Sequence, residues 1–235
     1  MRVPWRRIRG VALYGILVAL VAPWMLVLPL ALAQPPTSMV MLVRVAQRTV
    51  QGKRPIYPRR HVVPHRLVSS NLHRAVLAAE DDRFFLHSGL DFIEIQNALE
   101  RRRRGRRLRG ASTITQQVAK NLFLWEGRSY VRKGVEAYFA LVMEMCLTKE
   151  RILDLYLNLA EWGDGIFGAE AAARTYYRKS AARLTRDEAA RLAAILPAPR
   201  RWSPHGSVAR RRADVIIQRM YYAAPREAPS ASRRR

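Results

Sequence analysis

The stretch Arg109–Leu124, RGASTITQQVAKNLFL, combines a helical apolar stripe with a run of uncharged polar side chains. Ile114, Val118 and Leu122 recur every four residues, which places them on one face of a helix. A solvated second face would more usually carry Glu and Lys. Here that face is expected to carry Thr113, Gln116, Gln117 and Lys120. Two interpretations remain open: a helix cap followed by a buried polar network, or a surface that binds a ligand rich in oxygen atoms.

Length and charge narrow the possible partners. The chain of 235 residues is long enough for one good-sized domain with an appendage, and its net charge is +24. Such a charge implies an anionic partner: nucleic acid, an anionic membrane surface or a phosphorylated ligand. The single cysteine, Cys146, excludes an intrachain disulfide.

An uncharged stretch near the N-terminus predicts a membrane anchor. Val11–Ala33 contains 23 residues without a charge, enough to cross a bilayer as a helix. Four arginines lie in the first ten residues, whereas only two lie in the seventeen residues after the stretch. The positive-inside rule then leaves the N-terminus in the cytoplasm and exports the rest. The alternative is a cleaved signal peptide, since Ala31-Leu32-Ala33 resembles a cleavage site, but its apolar region would be unusually long.

The rest of the chain reads as one helical domain. Helix caps are expected at Ser70 or Asn71, at Ser129, at Thr148 and at Thr185. Because no run of alternating strand pattern follows the anchor, the predicted fold class is all-α. The expected organisation is a cytoplasmic N-terminus (1–10), a transmembrane anchor (11–33), a membrane-proximal connector (34–65), the main domain (66–222) and a basic tail (223–235).

Glu80 is the first candidate for catalysis. It ends a four-residue stripe that begins with Leu72 and Val76, and it lies at the end of the predicted helix. Apolar surroundings and the helix C-terminus both disfavour the carboxylate, so we expect a raised pKa, which suits a general base. The alternative is a surface glutamate that pairs with Arg83 or Arg74.

Arg101–Arg109 is a block of seven arginines that predicts a surface loop. It could bind nucleic acid non-specifically, but no aromatic residues interleave it and no nucleic-acid motif follows. On an exported chain the accessible polyanions are lipid headgroups. We therefore expect contact with anionic membrane lipids and no nucleic acid.

Four ordered motifs give the chain a family resemblance. Together they resemble the family 51 glycosyltransferases, the peptidoglycan glycosyltransferases, over about residues 66–204. Asp154 stands where that family's pattern has Glu, in a helix that we interpret as structural. The motifs are EDDRFFLHSG at Glu80–Gly89, GASTITQQVAKN at Gly110–Asn121, RKGVE at Arg132–Glu136 and KERILDLYLN at Lys149–Asn158.

The resemblance implies a lysozyme-like, two-lobed, all-α domain with a membrane-associated small lobe. It implies polymerisation of lipid II into β-1,4-linked glycan strands, by inverting transfer from a donor linked to a polyprenyl pyrophosphate. The expected enzyme is monofunctional, because no transpeptidase domain is recognised. Its expected location is the bacterial inner membrane, single-pass, with the catalytic domain in the periplasm.

The same resemblance assigns roles to individual residues. Glu80 is the expected base, and Glu136 matches the family's second essential glutamate, which would orient cations or assist departure of the pyrophosphate. The expected substrate-binding residues are Asp81, Phe84, His87, Gly110, Ser112, Thr113, Gln116, Gln117, Lys120, Asn121, Arg128, Arg132 and Lys133.

Cofactors and partners follow from the same reasoning. No cofactor is required, although a divalent cation, Mg²⁺ or Mn²⁺, is compatible with the pyrophosphate, with Asp81 as a candidate ligand. The expected partners are lipid II, the growing glycan and anionic inner-membrane lipids, with other cell-wall synthases or division proteins as further candidates. Two alternatives stay open: a glycan-cleaving enzyme, and a basic non-catalytic scaffold.

Overall fold

The computed structural model describes residues 5–52, 58–105, 110, 112–125, 127 and 129–221. Its described part is mostly helical, which confirms the predicted fold class. The helices are α1 (Trp5–Val27), α2 (Met39–Val50), α3 (Ser70–Glu80), α4 (Phe92–Arg103), α5 (Ile114–Phe123), α6 (Tyr130–Cys146), α7 (Lys149–Leu159), α8 (Ala169–Tyr177), α9 (Arg186–Ile195) and α10 (Ser207–Met220).

A small sheet, which the sequence analysis did not predict, accompanies the helices. Its strands are β1 (Arg59–Arg60), β2 (Glu161–Gly163) and β3 (Ile166–Phe167), in the order β1-β3-β2. β1 pairs parallel with β3, whereas β2 pairs antiparallel with it. Strands of two or three residues are too short to show an alternating pattern, so the sequence carried no signal for them.

Side-chain caps set the helix starts largely where local sequence predicts them. Ser129 caps α6, Thr148 caps α7, and Thr185 with Glu188 forms a capping box on α9. The predicted cap of α3 was wrong by one residue, because Ser69 and not Ser70 caps it. The predicted Arg101–Arg109 loop was also partly wrong: its first three arginines form the last turn of α4, and residues 106–109 lie outside the described part.

Two groups of helices pack around one core. α3, α9 and α10 pack against one another, while α5 packs against α6 and α7. Trp162 and Tyr156 are the largest fully buried side chains. α4 contrasts with these helices, because none of its residues is buried. The open space between α3, α4, the start of α5 and α10 forms the cleft described below.

The N-terminal segment contains one helix, Leu13–Ala31, that is long and apolar enough to cross a membrane. It packs against α6. The indole N–H of Trp24 donates to the hydroxyl of Tyr138 at 3.1 Å, and that hydroxyl donates to the carbonyl of Leu20 at 2.7 Å. This apolar helix therefore contacts the folded domain directly.

The connector after the anchor is attached to α7 rather than running free. The guanidinium of Arg60 donates to the carbonyls of Pro35, at 2.6 Å, and Asn158, at 3.1 Å. The Gln34 amide donates to Asp154 at 2.6 Å. β1 lies within this connector and pairs with β3, a pairing that the sequence analysis did not predict.

Candidate active site

Glu80 lies at the C-terminal end of α3 and faces the start of α5. The Gln117 amide N–H donates to Glu80 Oε2 at 2.8 Å, and the buried hydroxyl of Tyr156 donates to Gln117 Oε1 at 3.3 Å. Burial raises the pKa of Glu80, against the opposing effects of the Gln117 hydrogen bond and of the charges on Arg212 and Lys120. The raised pKa agrees with the expectation for a general base.

The alternative role for Glu80, a surface ion pair, is not found among the described residues. Arg83, its nearest candidate partner in sequence, binds Asp91 at 3.0 Å instead. Asp91 also accepts the backbone N–H groups of Ile93 and Glu94 and caps α4. Glu80 is thus left with a neutral amide partner, and its carboxylate remains available to the cleft.

Glu136 is a buried carboxylate on α6, with 3% of its surface exposed. Arg132 contacts its Oε2 at 2.7 Å and Lys133 contacts its Oε1 at 2.5 Å. Lys133 also donates to the hydroxyl of Ser112 at 2.9 Å, which joins α6 to the loop before α5. This geometry is that of a residue that orients two cations, because both carboxylate oxygens are occupied by them.

Lys120 differs from those two cations. Its side chain is exposed, and within the described part of the chain its ammonium group forms no hydrogen bond or ion pair. Desolvation by the surrounding protein lowers the pKa of Lys120; Arg132 and Lys133 lower it further, whereas Glu136 and Glu80 raise it. Lys120 is therefore a cation within the electrostatic reach of both glutamates and without a direct protein partner.

Asp81 joins the first motif to the start of α5. Its carboxylate lies 3.0 and 3.1 Å from His87 Nε2 and accepts the backbone N–H of Ile114 at 2.9 Å. Phe84 is buried in the core, with 1% of its surface exposed. The structure thus gives Asp81, Phe84 and His87 contacts within the protein, and their contacts with substrate stay predictions.

Asp81, His87 and Asp91 also bring ligand atoms within 4.8 Å of one another, as a metal site would require. The carboxylate oxygens already accept hydrogen bonds from His87, from the N-termini of α4 and α5 and from Arg83. A cation at this point would have to displace them. The donor set therefore fits a hydrogen-bonded structural cluster better than a metal centre.

Thr113 and Gln116 form a capping box at the start of α5. The Thr113 hydroxyl also donates to the carbonyl of Gly89 at 2.6 Å, and both residues are buried. Because Thr113 precedes the helix, it does not share a helical face with Gln117 and Lys120, and that expectation was wrong. The cap-and-network interpretation describes Thr113 and Gln116, whereas Gln117 lines the cleft.

The remaining predicted binding residues are Gly110, Ser112, Asn121 and Arg128. Gly110 and Ser112 line the cleft, and Asn121 is half-buried on α5. Arg128 lies outside the described residues.

The cleft has a volume of about 960 Å³ and is lined on one side by Glu80, Asp82, Ser112 and Gln117. Its other wall is α10, which the sequence analysis did not assign to the site. Three- and four-residue spacings place the wall on one face of α10, a signal that the sequence did contain. The wall consists of Val208, Arg211, Arg212, Val215, Ile216 and Arg219, and we refer to its three arginines as the α10 arginines.

A carboxylate of raised pKa in a cleft lined by arginines is an arrangement typical of acid–base catalysis. Comparison with known proteins makes the class specific. The chain matches the Transglycosylase family over residues 47–221.

Its relatives include the biosynthetic peptidoglycan transglycosylases of three bacteria. That of Pseudomonas putida is 51% identical over 178 residues, which cover 76% of this chain and 75% of the relative. That of Pseudomonas aeruginosa is 49% identical, covering 80% of this chain and 81% of the relative. That of Chromohalobacter salexigens is 50% identical, covering 77% and 75%. The chain belongs to the Transglycosylase family, which confirms the expected resemblance.

Proposed function

We propose that this cleft polymerises lipid II into β-1,4-linked glycan strands, with the growing chain on its polyprenyl pyrophosphate as the donor. Membership of the Transglycosylase family makes the chain a glycosyltransferase, and its relatives are named for peptidoglycan synthesis. The observation that carries the proposal is the position of Glu80. It is a carboxylate of raised pKa, 2.8 Å from a neutral amide, in the cleft that Arg211, Arg212 and Arg219 also line.

Glu80 acts as the general base of the proposed reaction. The acceptor's 4-hydroxyl is a weak nucleophile, so Glu80 removes its proton as the oxygen attacks the anomeric carbon of the donor. As that bond forms, the bond between the anomeric carbon and the pyrophosphate breaks. The pyrophosphate leaves with the electron pair, and direct displacement converts the α-linked donor into a β-linked product.

The cations on α5 and α6 stabilise the leaving pyrophosphate. Glu136 holds Arg132 and Lys133 in fixed positions, so they need no reorganisation as charge develops. Lys120, which has no direct partner among the described residues, supplies a further positive charge. The proposal assigns charge neutralisation to these side chains and routes no step through a metal ion.

We place the enzyme in the bacterial inner membrane, with its N-terminus in the cytoplasm and its domain in the periplasm. The apolar helix Leu13–Ala31 and the arginines before it support this orientation. The arginines at the end of α4 are exposed or half-buried and suit contact with anionic lipid headgroups. Contact with other synthases or division proteins stays a prediction.

The decisive experiment is Glu80→Gln, assayed with labelled lipid II in detergent. We expect polymerisation to fall about a thousandfold, because the base is lost while the shape is kept. Glu150→Gln, an exposed glutamate on α7, is the matched control and should polymerise normally.

Three results would contradict the proposal. Normal consumption of lipid II by Glu80→Gln would remove Glu80 from catalysis. Shortening of preformed glycan, without lengthening of lipid II products, would indicate a glycan-cleaving enzyme. Salt-sensitive binding of polyanions that persists without Glu80 and Glu136, and without any polymerisation, would indicate a scaffold.

A further inference from the structure

The α10 arginines face the cleft without direct acidic partners. No ion pair within 4.0 Å and no hydrogen bond joins Arg211, Arg212 or Arg219 to another side chain in the described part of the chain. The guanidinium of Arg212 lies 5.3 Å from the ring centroid of Trp202, and its Nε is buried without a hydrogen-bond partner. The Arg212 guanidinium is therefore packed on Trp202 without an acceptor among the described residues, which leaves it able to bind an anion in the cleft.

Carboxylates in the same cavity do not supply that acceptor. The charge of Arg212 lowers the pKa of Glu80 and that of Arg219 lowers the pKa of Asp82, so the arginines are near enough to act at long range. They are nevertheless too far for an ion pair. Guanidinium groups recognise phosphate oxygens in a planar, bidentate geometry, so an occupant that carries phosphate fits them well.

The proposed reaction needs two phosphate-binding groups. Both the donor and the acceptor carry a pyrophosphate, and the cations on α5 and α6 are assigned to the one that leaves. Among the described residues that line the cleft, α10 is the helix that carries several cations on one face. Both groups of cations act electrostatically on Glu80, through Arg212 of α10 and Lys120 of α5.

We propose that Arg211, Arg212 and Arg219 form a second phosphate-binding subsite, which holds the pyrophosphate of the acceptor. The inference rests on the proposed function. It makes α10 a determinant of acceptor affinity, and it assigns the donor to α5 and α6. The headgroup of an anionic lipid offers the same phosphate chemistry, so the experiment has to distinguish the two sources.

The test is the double variant Arg212→Gln with Arg219→Gln, in the full-length chain in a neutral detergent. The donor is a short glycan on polyprenyl pyrophosphate whose terminal 4-hydroxyl is blocked, and lipid II is the acceptor. We expect the KM for lipid II to rise about tenfold or more, with the donor KM and kcat changed by no more than about twofold. Arg210→Gln, an exposed arginine on α10 that does not line the cleft, is the matched control.

A second variant protects the test against a folding defect. Arg212→Gln also removes the contact with Trp202, so the melting temperatures of all variants are compared with that of the wild type. Within the described part of the chain, Arg219 makes no contact of this kind with an aromatic ring, so the single variant Arg219→Gln should raise the acceptor KM without this loss of packing. An acceptor KM that is unchanged, or that rises equally in Arg210→Gln, overturns the subsite.

The lipid source is tested in vesicles of phosphatidylcholine with and without phosphatidylglycerol. A defect that appears only with phosphatidylglycerol and vanishes in neutral detergent shows a headgroup site, and it overturns the acceptor assignment. A rise of the donor KM in place of the acceptor KM also overturns it. Failure of the proposed function itself is distinct, because the wild type would then not polymerise lipid II at all.

Discussion

Two groups of cations lie near Glu80, one on α5 and α6 and one on α10, and they are held in opposite ways. On α6, Arg132 and Lys133 are bound to the buried carboxylate of Glu136, which fixes their positions. On α10, the arginines face the cavity without an acid partner among the described residues. Cations that a carboxylate already holds in place can stabilise developing charge without reorganisation. Unpaired guanidinium groups suit the binding of an anion that arrives with its charge complete.

Removing Glu136, the counter-ion of Arg132 and Lys133, should have the largest effect on kcat. In Glu136→Gln, Arg132 and Lys133 lose the carboxylate that holds them, so we expect kcat to fall about a hundredfold. The melting temperature should also fall, because a buried ion pair is broken on one side only. Initial rates and thermal unfolding measure the two effects. A normal kcat in Glu136→Gln would show that the reaction does not need Arg132 and Lys133 to be held in fixed positions.

The next prediction tests whether the two groups of cations bind different substrates. Lys120→Ala removes the unpaired cation near Glu136, so we expect the donor KM to rise about tenfold. The acceptor KM should stay nearly constant, the reverse of the result expected for the α10 arginines. Steady-state kinetics with the blocked donor measure both constants. An equal rise of the donor KM and the acceptor KM would show that the two groups of cations do not bind different substrates.

The smallest expected effect is a change in the pH dependence of kcat/KM, which compares Arg212 of α10 with Lys120 of α5. Glu80 must be ionised to act as a base, so activity is lost as the pH falls through its raised pKa. Positive charge favours the carboxylate, and Arg212 acts on it more strongly than Lys120. The acid limb should therefore move to higher pH in both Arg212→Gln and Lys120→Ala, and farther in Arg212→Gln. A downward shift, or a larger shift in Lys120→Ala, would contradict this order.

Local sequence predicted the parts of the site that depend on neighbouring residues. Ser129 and Thr148 cap their helices because capping needs only a hydroxyl two or three residues before a backbone N–H. Glu80 showed its unusual surroundings by ending an apolar stripe. The resemblance supplied the pairing of Glu80 with Glu136, which are more than fifty residues apart.

Features that depend on tertiary packing were not predictable in this way. From the sequence, the polar residues before Val118 could form either a helix cap or a ligand-binding surface. Only the structure shows that Thr113 and Gln116 form a buried capping box, whereas Gln117 does not belong to it. The α10 arginines follow Glu80 by more than 130 residues, and nothing local indicates that α10 closes the cleft. β1 is invisible for a similar reason, since its partner β3 comes much later in the chain.

The attachment of the connector bears on how the proposed enzyme would meet its substrates. Gln34 is bound to Asp154, and Arg60 is bound to Pro35 and Asn158, so these parts of the connector move with the domain. Under the proposed function, this attachment would limit how far the cleft can move from the membrane surface. Lipid-linked substrates would then reach the cleft by lateral diffusion, which is a two-dimensional search.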